Sequence, residues 1–112
     1  MVKIFISQPM KDKTNQEIEQ ERKEIIEKIR KHFRKIKIEV IDSFFKDAPH
    51  DAKPLWFLGK SLEKLSEADI AYFAKGWESA RGCKLEYECA KAYGITCICE
   101  NEDGEYVVNY EA

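Results

Sequence analysis

Hydrophobic and polar residues change their period several times along the chain, and each change marks a boundary between predicted elements. The segment Val2–Ser7 is apolar and β-branched and ends shortly before Pro9, which indicates a buried first strand. The charged segment that follows carries apolar residues at helical spacing, namely Ile18, Ile25, Ile29 and Phe33. Thr14 or Asn15 is the candidate N-cap residue, so a long first helix is predicted.

Strand and helix patterns keep alternating through the rest of the chain. We predict a strand at residues 36–42, a helix opened by Pro54, a strand at residues 69–74, a helix at residues 79–93 closed by Gly94, and a strand at residues 95–99. The second helix carries a core-facing stripe of Leu55, Leu58, Leu62 and Leu65. The turn signal Asp103-Gly104 predicts an antiparallel edge strand at residues 105–110. This order predicts an α/β layer fold with right-handed crossovers and a mostly parallel sheet.

Length and charge limit what such a fold can do. The 112 residues, 44% of them hydrophobic, suit a single domain covering residues 1–112. Lys and Arg number 19 against 21 Asp and Glu, so no overall field recruits polymeric nucleic acid or an anionic membrane. The apolar start is interrupted too soon for a signal peptide, and no run of roughly 18 apolar residues occurs. We therefore expect a soluble, cytoplasmic protein.

The cysteines do not follow a metal-binding pattern. They lie at Cys83, Cys89, Cys97 and Cys99, without paired CxxC spacing. The two histidines, His32 and His50, lie far back in the chain. Because cysteine behaves as a small apolar residue in protein cores, buried reduced thiols are favoured over a metal site or disulfides.

The carboxyl ends of the predicted strands define a candidate ligand site. Parallel α/β sheets bind ligands outside these ends, at the point where the strand order reverses. The segments that fall there are Ser7-Gln8-Pro9-Met10, Asp42-Ser43-Phe44 and Gly76-Trp77-Glu78-Ser79. The third predicted helix begins at the same edge, so its N-terminal amides and positive dipole end favour an anion.

Two carboxylates on the third predicted helix differ in their helical phase. Glu86 falls inside an apolar arc formed by Leu85, Cys89, Ala90, Ala92 and Tyr93. Glu88 lies on the opposite side between Lys84 and Lys91, which is typical of a solvated charge. A carboxylate on a buried face must be neutralised, paired or used. Glu86 is therefore either a structural carboxylate paired with Arg81 or another cation, or an active-site carboxylate.

The residues also carry a family resemblance. MVKIFISQPM at the start and SEADIAYFAKGWESARGCKLEYECAKAYGI further on resemble the nucleoside 2-deoxyribosyltransferase-like superfamily, especially its small bacterial and phage-borne members. The likeness covers roughly Met1 to Cys99. Its most specific part is the spacing of Gly82, Glu86 and Ala90 before Gly94.

The resemblance implies a reaction for Glu86. In the characterised enzymes the glutamate of this motif attacks the anomeric carbon of a deoxyribosyl group and expels the base. Hydrolysis by water or transfer to a second base would complete the two-step retaining sequence. It also implies a small nucleoside or nucleotide as substrate and no metal or organic cofactor.

One position departs from the family pattern. The enzymes usually carry an aspartate on the helix before the third strand, and here that position is Ser61. Serine is not a carboxylic acid, so the group that protonates the leaving base is in question. Asp42, Asp47 and Asp51 are possible substitutes, and loss of the activity is the other reading.

Further positions map onto substrate contacts of the relatives. The loop after the first strand binds the sugar or the 5′ end there, and here it contains Ser7, Gln8, Pro9, Met10 and Lys11; Lys11 and Lys13 are candidate phosphate contacts or solvated lysines. Phe44 and Trp77, beside Gly76, either stack on a base or pack over the sheet. Ser79 and Arg81, before Gly82, either touch the sugar or phosphate or serve as cap and surface cation. Asn109 and Tyr110 resemble a tail that completes a neighbouring subunit's site.

Together these observations predict a flavodoxin-like three-layer α/β/α domain that cleaves or exchanges an N-glycosidic bond through Glu86. Trp56 and Phe57 make the second helix apolar over more than one face, which favours a homo-oligomer or a larger core. One alternative is a non-catalytic nucleotide-binding or nucleotide-sensing module, favoured by Ser61. Another is a scaffold or interaction protein in which Glu86 is structural.

Overall fold

The computed structural model describes residues 1–45 and 47–109, which form alternating strands and helices. The elements are β1 (Val2–Ser7), α1 (Asn15–His32), β2 (Ile38–Val40), α2 (Pro54–Leu65), β3 (Ile70–Phe73), a 3₁₀ turn (Trp77–Ser79), α3 (Arg81–Ala92), β4 (Thr96–Glu100) and β5 (Tyr106–Asn109). Each element that the sequence pattern predicts is present.

The strands form one sheet in the order β2-β1-β3-β4-β5. The first four are parallel, and β5 pairs antiparallel with β4, with Cys97 opposite Asn109. Ser7, at the end of β1, is in register with Phe73 at the end of β3. The predicted α/β fold is confirmed: three helices alternate with four parallel strands in a flavodoxin-like topology.

The sheet separates two apolar layers. On one face, Ile25 and Ile29 of α1 pack with residues of β1, β3 and β4 that include Ile6 and Tyr72. On the other face, Leu65 of α2 and Ala90 of α3 pack with Phe5, Ala71, Phe73, Cys97 and Cys99. Because side chains alternate across a strand, neighbouring residues of β1 contribute to opposite layers.

Helix α1 begins where the sequence indicates. Thr14 Oγ1 accepts a hydrogen bond from the Glu17 amide at 3.1 Å, and the Glu17 carboxylate accepts one from the Thr14 amide at 3.1 Å. This reciprocal capping box satisfies two amides that the first helical turn leaves without partners. Thr14 is therefore the N-cap residue, and Asn15 is the first residue of the helix.

Two predicted helical details are wrong. Helix α3 begins at Arg81, because Ala80 is extended at φ −99° and ψ 120° and interrupts the segment after the 3₁₀ turn. Its buried face is Cys83, Glu86 and Ala90, whereas Leu85 is 43% and Tyr93 84% exposed. The small side chain of Ala90 lets that face approach the sheet closely, and this preference overrides the arc of larger apolar residues.

The leucine stripe of α2 is also only partly a core face. Leu65 is 3% exposed, but Leu55, in the first turn, is 78% exposed.

None of the helices within the described ranges is long and apolar enough to cross a membrane. All four cysteines are free thiols, and Cys83, Cys97 and Cys99 are buried, as predicted.

Candidate functional site

The Glu86 carboxylate lies inside the protein at the carboxyl end of the central strands. Glu86 occupies the second turn of α3 and is 8% exposed. Ser7 Oγ, at the last residue of β1, donates a 2.7 Å hydrogen bond to Glu86 Oε1. Since Ser7 is paired with the end of β3, this contact fixes the carboxylate at the edge of the sheet where α/β proteins bind ligands.

No cation neutralises this carboxylate within the described part of the chain. The ion pairs found there do not involve Glu86. Arg81, the predicted partner, is exposed, and Lys13 pairs with Glu21 at 2.8 Å. The interpretation of Glu86 as a carboxylate paired with Arg81 is therefore wrong.

Burial controls the protonation of Glu86. Desolvation raises the pKa of Glu86 from 4.5 to about 7, and the hydrogen bond from Ser7 acts in the opposite direction. At neutral pH both the acid and the carboxylate are populated. The carboxylate can therefore serve as a nucleophile near neutral pH, and its share increases as the pH rises.

Cys83 is a site neighbour that the sequence pattern did not single out. It is 4% exposed and lies three residues before Glu86 on the same face of α3. Desolvation raises the pKa of the Cys83 thiol to about 11, a hydrogen bond with Ser7 lowers it, and the Glu86 charge raises it. The thiol is therefore neutral at physiological pH. The available signal was its position three residues before Glu86, because residues at that spacing lie on the same face of a helix.

A second buried carboxylate, Glu100, shows by contrast what a structural one looks like in this fold. Glu100 is 3% exposed at the end of β4. Tyr72 Oη and the Lys75 amide donate hydrogen bonds to it, and Lys28 Nζ lies 3.7 Å from Oε1. This carboxylate has several donors and a cation, whereas Glu86 has one neutral hydroxyl donor among the described contacts.

The first turn of α3 leaves its backbone amides without a side-chain cap. The N-cap residue, Ala80, has no side chain that can accept a hydrogen bond, and Ser79 lies in the preceding 3₁₀ turn, exposed. The predicted capping role of Ser79 is therefore wrong. Arg81 and Gly82 are both exposed, and a Cβ at Gly82 would meet nothing within 4 Å. This end of α3 is open to solvent and positively polarised.

Two loops at the same edge pack against each other. Gly76 adopts φ +88°, a left-handed conformation that favours glycine, and a Cβ there would lie 3.5 Å from Pro9 Cγ. Trp77 stacks its ring 4.6 Å from Tyr87 and 5.5 Å from Phe73. The Trp77 ring therefore covers the sheet edge, which is the packing alternative for this residue. Its indole Nε1 is buried and without a hydrogen-bond partner in the described structure.

Gln8 turns away from Glu86 toward α1. Its Nε2 donates to the Ile18 carbonyl oxygen at 3.2 Å, and its Oε1 accepts from Arg22 Nη1 at 3.4 Å. Gln8 is 4% exposed, and both ends of its side-chain amide are hydrogen-bonded within the protein. Its predicted contact with substrate stays a prediction. The adjacent residues Ser7 and Gln8 thus serve opposite faces of the sheet.

Arg22 is the second residue that the sequence pattern missed. It is 9% exposed, and Nη2 donates to the Ile41 carbonyl oxygen at 2.9 Å and to Ser43 Oγ at 3.2 Å. Burial lowers the pKa of Arg22, and the charge of Asp42 raises it. The available signal was its position four residues after Ile18, within the apolar stripe of α1.

Arg22 contributes to a surface cavity beside the end of β2. We call this cavity of about 360 Å³ the α1 groove; its lining residues are Glu19, Arg22, Lys23, Ile26, Asp42, Phe44 and Asp47. Two predicted site residues, Asp42 and Phe44, lie here, and Asp42 Oδ1 accepts a 3.3 Å hydrogen bond from the Phe44 amide. Glu86 does not line this groove.

The remaining predicted site residues are dispersed. Met10 and Lys11 are exposed in the loop after β1, and Ser61 is half-buried in α2 with no described contact to Glu86. Asn109 ends β5, two strands away from β3 in the sheet, and Tyr110 lies outside the described residues. The structure thus brings Ser7 to Glu86, Pro9 to Gly76, and Asp42 and Phe44 to Arg22.

Metal-binding geometry and similarity to other proteins complete the description of the site. Across residues 1–45 and 47–109, no three His, Cys, Asp or Glu side chains cluster as metal ligands. No family model, curated protein or solved structure matches the chain. Of what the family resemblance implies, the structure supports only the fold, a small α/β domain with four parallel strands. Membership of the family stays a prediction.

Proposed function

We propose that the protein cleaves or exchanges the N-glycosidic bond of a nucleoside or nucleotide, with Glu86 as the nucleophile. The observation that carries this proposal is the buried position of Glu86 at the carboxyl end of β1, held by Ser7 Oγ at 2.7 Å and without a described cation. A buried carboxylate without a counter-ion costs several kcal/mol when ionised, so a fold keeps one where the charge is used. The spacing Gly82, Glu86 and Ala90 agrees with this role.

The reaction follows the two-step logic of a retaining glycosidase. Ser7 holds Oε1, which leaves Oε2 of the ionised carboxylate to bond the anomeric carbon. The bond from that carbon to the base nitrogen breaks, and its electron pair leaves with the base. A water oxygen or a nitrogen of a second base then bonds the carbon and loses its proton to the solvent, while the ester bond to Glu86 breaks and the carboxylate is restored.

The leaving base needs a proton, and among the described residues no carboxylic acid is hydrogen-bonded to Glu86. Ser61 is not a carboxylic acid, and Asp42 and Asp47 line the α1 groove. A base that accepts a proton from water, or one whose ring nitrogen is already protonated, leaves without a protein acid. We therefore expect slow turnover, with bases that are good leaving groups released fastest.

The absent acid favours a second candidate function. A nucleotide-binding or nucleotide-sensing module would bind its ligand at the strand ends and release no base. Two observations favour it. Position 61 is a serine and not an aspartate, and no second carboxylate among the described residues is hydrogen-bonded to Glu86. Ligand-dependent thermal stabilisation without any product is its expected signature.

The test is base release from a panel of nucleosides, 2′-deoxynucleosides and their 5′-monophosphates, followed by chromatography. The proposal predicts free base with the unaltered protein and a loss of at least about a hundredfold with Glu86→Gln. Glu88→Gln is the matched control, because Glu88 is exposed on the same helix and should keep full activity. Release that survives Glu86→Gln, or no release from any compound, rejects the proposed reaction.

A further inference from the structure

A second surface cavity lies between the end of α1 and the start of β2. We call this cavity of about 370 Å³ the basic groove; its lining residues are Arg30, Phe33, Arg34, Ile36, Lys37 and Ile38. Ile38 is the first residue of β2, so the groove lies at the amino end of the parallel strands, whereas Glu86 lies at their carboxyl end. A ligand in the basic groove is therefore independent of the proposed reaction.

The charge of the basic groove has one sign. Its lining residues include three cations and no carboxylate. Arg30, Arg34 and Lys37 are exposed, and none of the described ion pairs includes them. The flanking carboxylates along the chain, Glu27 and Glu39, are exposed and take part in none of those pairs either. This end of the molecule is thus locally positive, although the whole chain has a net charge of −2.

Helix stability explains only part of this charge. Cations in the last turn of a helix interact favourably with its carbonyl end, and Arg30 occupies that turn of α1. The effect falls off within one turn, and Arg34 and Lys37 follow the last helical residue, His32. The groove also exposes apolar surface, since Ile36 is 50% exposed. Cations beside exposed apolar surface suit a partner that carries both carboxylates and aliphatic groups.

The strand that begins in the groove has an open edge. β2 is the outermost strand of the sheet and pairs with β1. The Lys37 carbonyl oxygen and the Ile41 amide each form a 2.9 Å hydrogen bond with β1. Because alternate residues of a parallel strand bond the same neighbour, the N–H and C=O groups of Ile38 and Val40 point away from β1. A strand edge of this kind can pair with a further extended chain.

We propose that this surface binds an acidic peptide segment of another protein, in an extended conformation beside β2. The outward N–H and C=O groups of Ile38 and Val40 pair with its backbone, as in strand addition to a sheet edge. Its carboxylates contact Arg30, Arg34 and Lys37 in the basic groove. A nucleic acid offers phosphates but no peptide groups at strand spacing, so the open edge favours a peptide over a nucleic acid.

The experiment is fluorescence anisotropy with a labelled peptide of about eight residues that alternates aspartate with valine. We expect it to bind at least about tenfold more tightly at low ionic strength than the same peptide with asparagine in place of aspartate. N-methylation of alternate backbone amides should weaken binding about tenfold or more for the set that faces β2, because it removes the pairing N–H groups. The other set faces away, and its N-methylation should have little effect.

A charge-matched pair of protein variants tests the groove itself. The joint change Arg34→Gln and Lys37→Gln should weaken binding of the aspartate peptide about tenfold or more. Lys60→Gln with Lys64→Gln is the control, because it removes two positive charges from α2 and should leave the affinity unchanged. Unfolding curves show whether either variant has lost the fold.

Several results would overturn the proposal. They are no binding, equal affinity for the aspartate and asparagine peptides, equal effects of the two N-methylated sets, and equal affinity of the two protein variants. Tighter binding of a single-stranded oligonucleotide, lost on changing Arg34 and Lys37, would assign the groove to nucleic acid instead. Self-association that the same change abolishes would assign it to a second copy of the chain. Base release by the protein bears on Glu86 alone, so the two proposals fail separately.

Discussion

Two opposing effects of its surroundings determine the pKa of Glu86. Burial beneath the end of β1 disfavours the charge, and the hydroxyl of Ser7 favours it. The result is a carboxyl whose pKa of about 7 lies well above its ordinary value. A group in this state costs the fold free energy whenever it ionises, and that cost can be measured separately from any reaction.

Glu86→Gln should change how stability depends on pH. In the unfolded chain the pKa of Glu86 is near 4.5, and in the folded protein it is about 7. As the pH rises from about 4.5 to about 7, the unfolded state loses this proton first, so the stability of the unaltered protein falls. Glutamine removes this contribution, so the variant should gain relative stability by up to about 3 kcal/mol at pH 8 compared with pH 4.

The measurement is urea unfolding of both proteins at several pH values. Glu88→Gln is the control, because an exposed glutamate on the same helix should show no such trend. A stability difference between Glu86→Gln and the unaltered protein that stays constant from pH 4 to pH 8 would show that Glu86 titrates normally.

Ser7→Ala tests the hydroxyl that holds the carboxylate. Removing a donor to the charged form should raise the pKa of Glu86 by about one to two units, because such hydrogen bonds contribute about 1.5–3 kcal/mol. The titration midpoint of the Glu86 side-chain carbon, followed by nuclear magnetic resonance, reports this shift. Ser66→Ala is the control, since Ser66 Oγ bonds the Glu63 carbonyl oxygen on α2. An unchanged or lower midpoint contradicts the role assigned to Ser7.

At the scale of elements, the local cap signal located the start of α1 but not that of α3, which begins two residues later than predicted. Thr14 was one of two cap candidates, and the reciprocal bonds with Glu17 confirm it. The inward position of Glu86 was also predicted, although the apolar arc used for it includes Leu85 and Tyr93, which are exposed. Only tertiary packing decides which face of a short helix is covered, because Cys83 and Ala90 are small residues that weigh little in a periodicity argument.

Thr14→Ala should destabilise the protein by about 1 kcal/mol. The change removes the side-chain acceptor for the Glu17 amide and leaves that amide without a protein partner. Thr14→Ser keeps the hydroxyl and should remain within a few tenths of a kcal/mol of the unaltered protein. Denaturant midpoints at constant pH measure both, and equal losses for Ala and Ser would exclude capping as the cause.

At the scale of the whole molecule, the alternation of strands and helices was sufficient to predict the topology. Right-handed crossovers leave few arrangements for four parallel strands, and the Asp103-Gly104 turn placed the antiparallel strand at the edge. The site was less predictable. Ser7 and Glu86 lie 79 positions apart in the sequence. The hydrogen bonds of Arg22 join α1 to the segments that follow β1 and β2. Neither set of contacts follows from local spacing.

The association of chains stays a prediction of the sequence. The exposed apolar residues Leu55 and Phe57 of α2, at 78% and 39%, are consistent with a homo-oligomer. Trp56 is half-buried, so the choice between a homo-oligomer and a larger core as the reason for the apolar surplus of α2 stays open.

The most direct measurement is peptide mass spectrometry of the protein after incubation with a 2′-deoxy-2′-fluoro nucleoside, which slows breakdown of a glycosyl ester. The account predicts an adduct of one glycosyl group on the peptide that contains residues 85–91, with fragmentation assigning it to Glu86 and not to Glu88. Glu86→Gln should abolish the adduct. An adduct on any other residue, or base release with no covalent species on Glu86, would contradict the account.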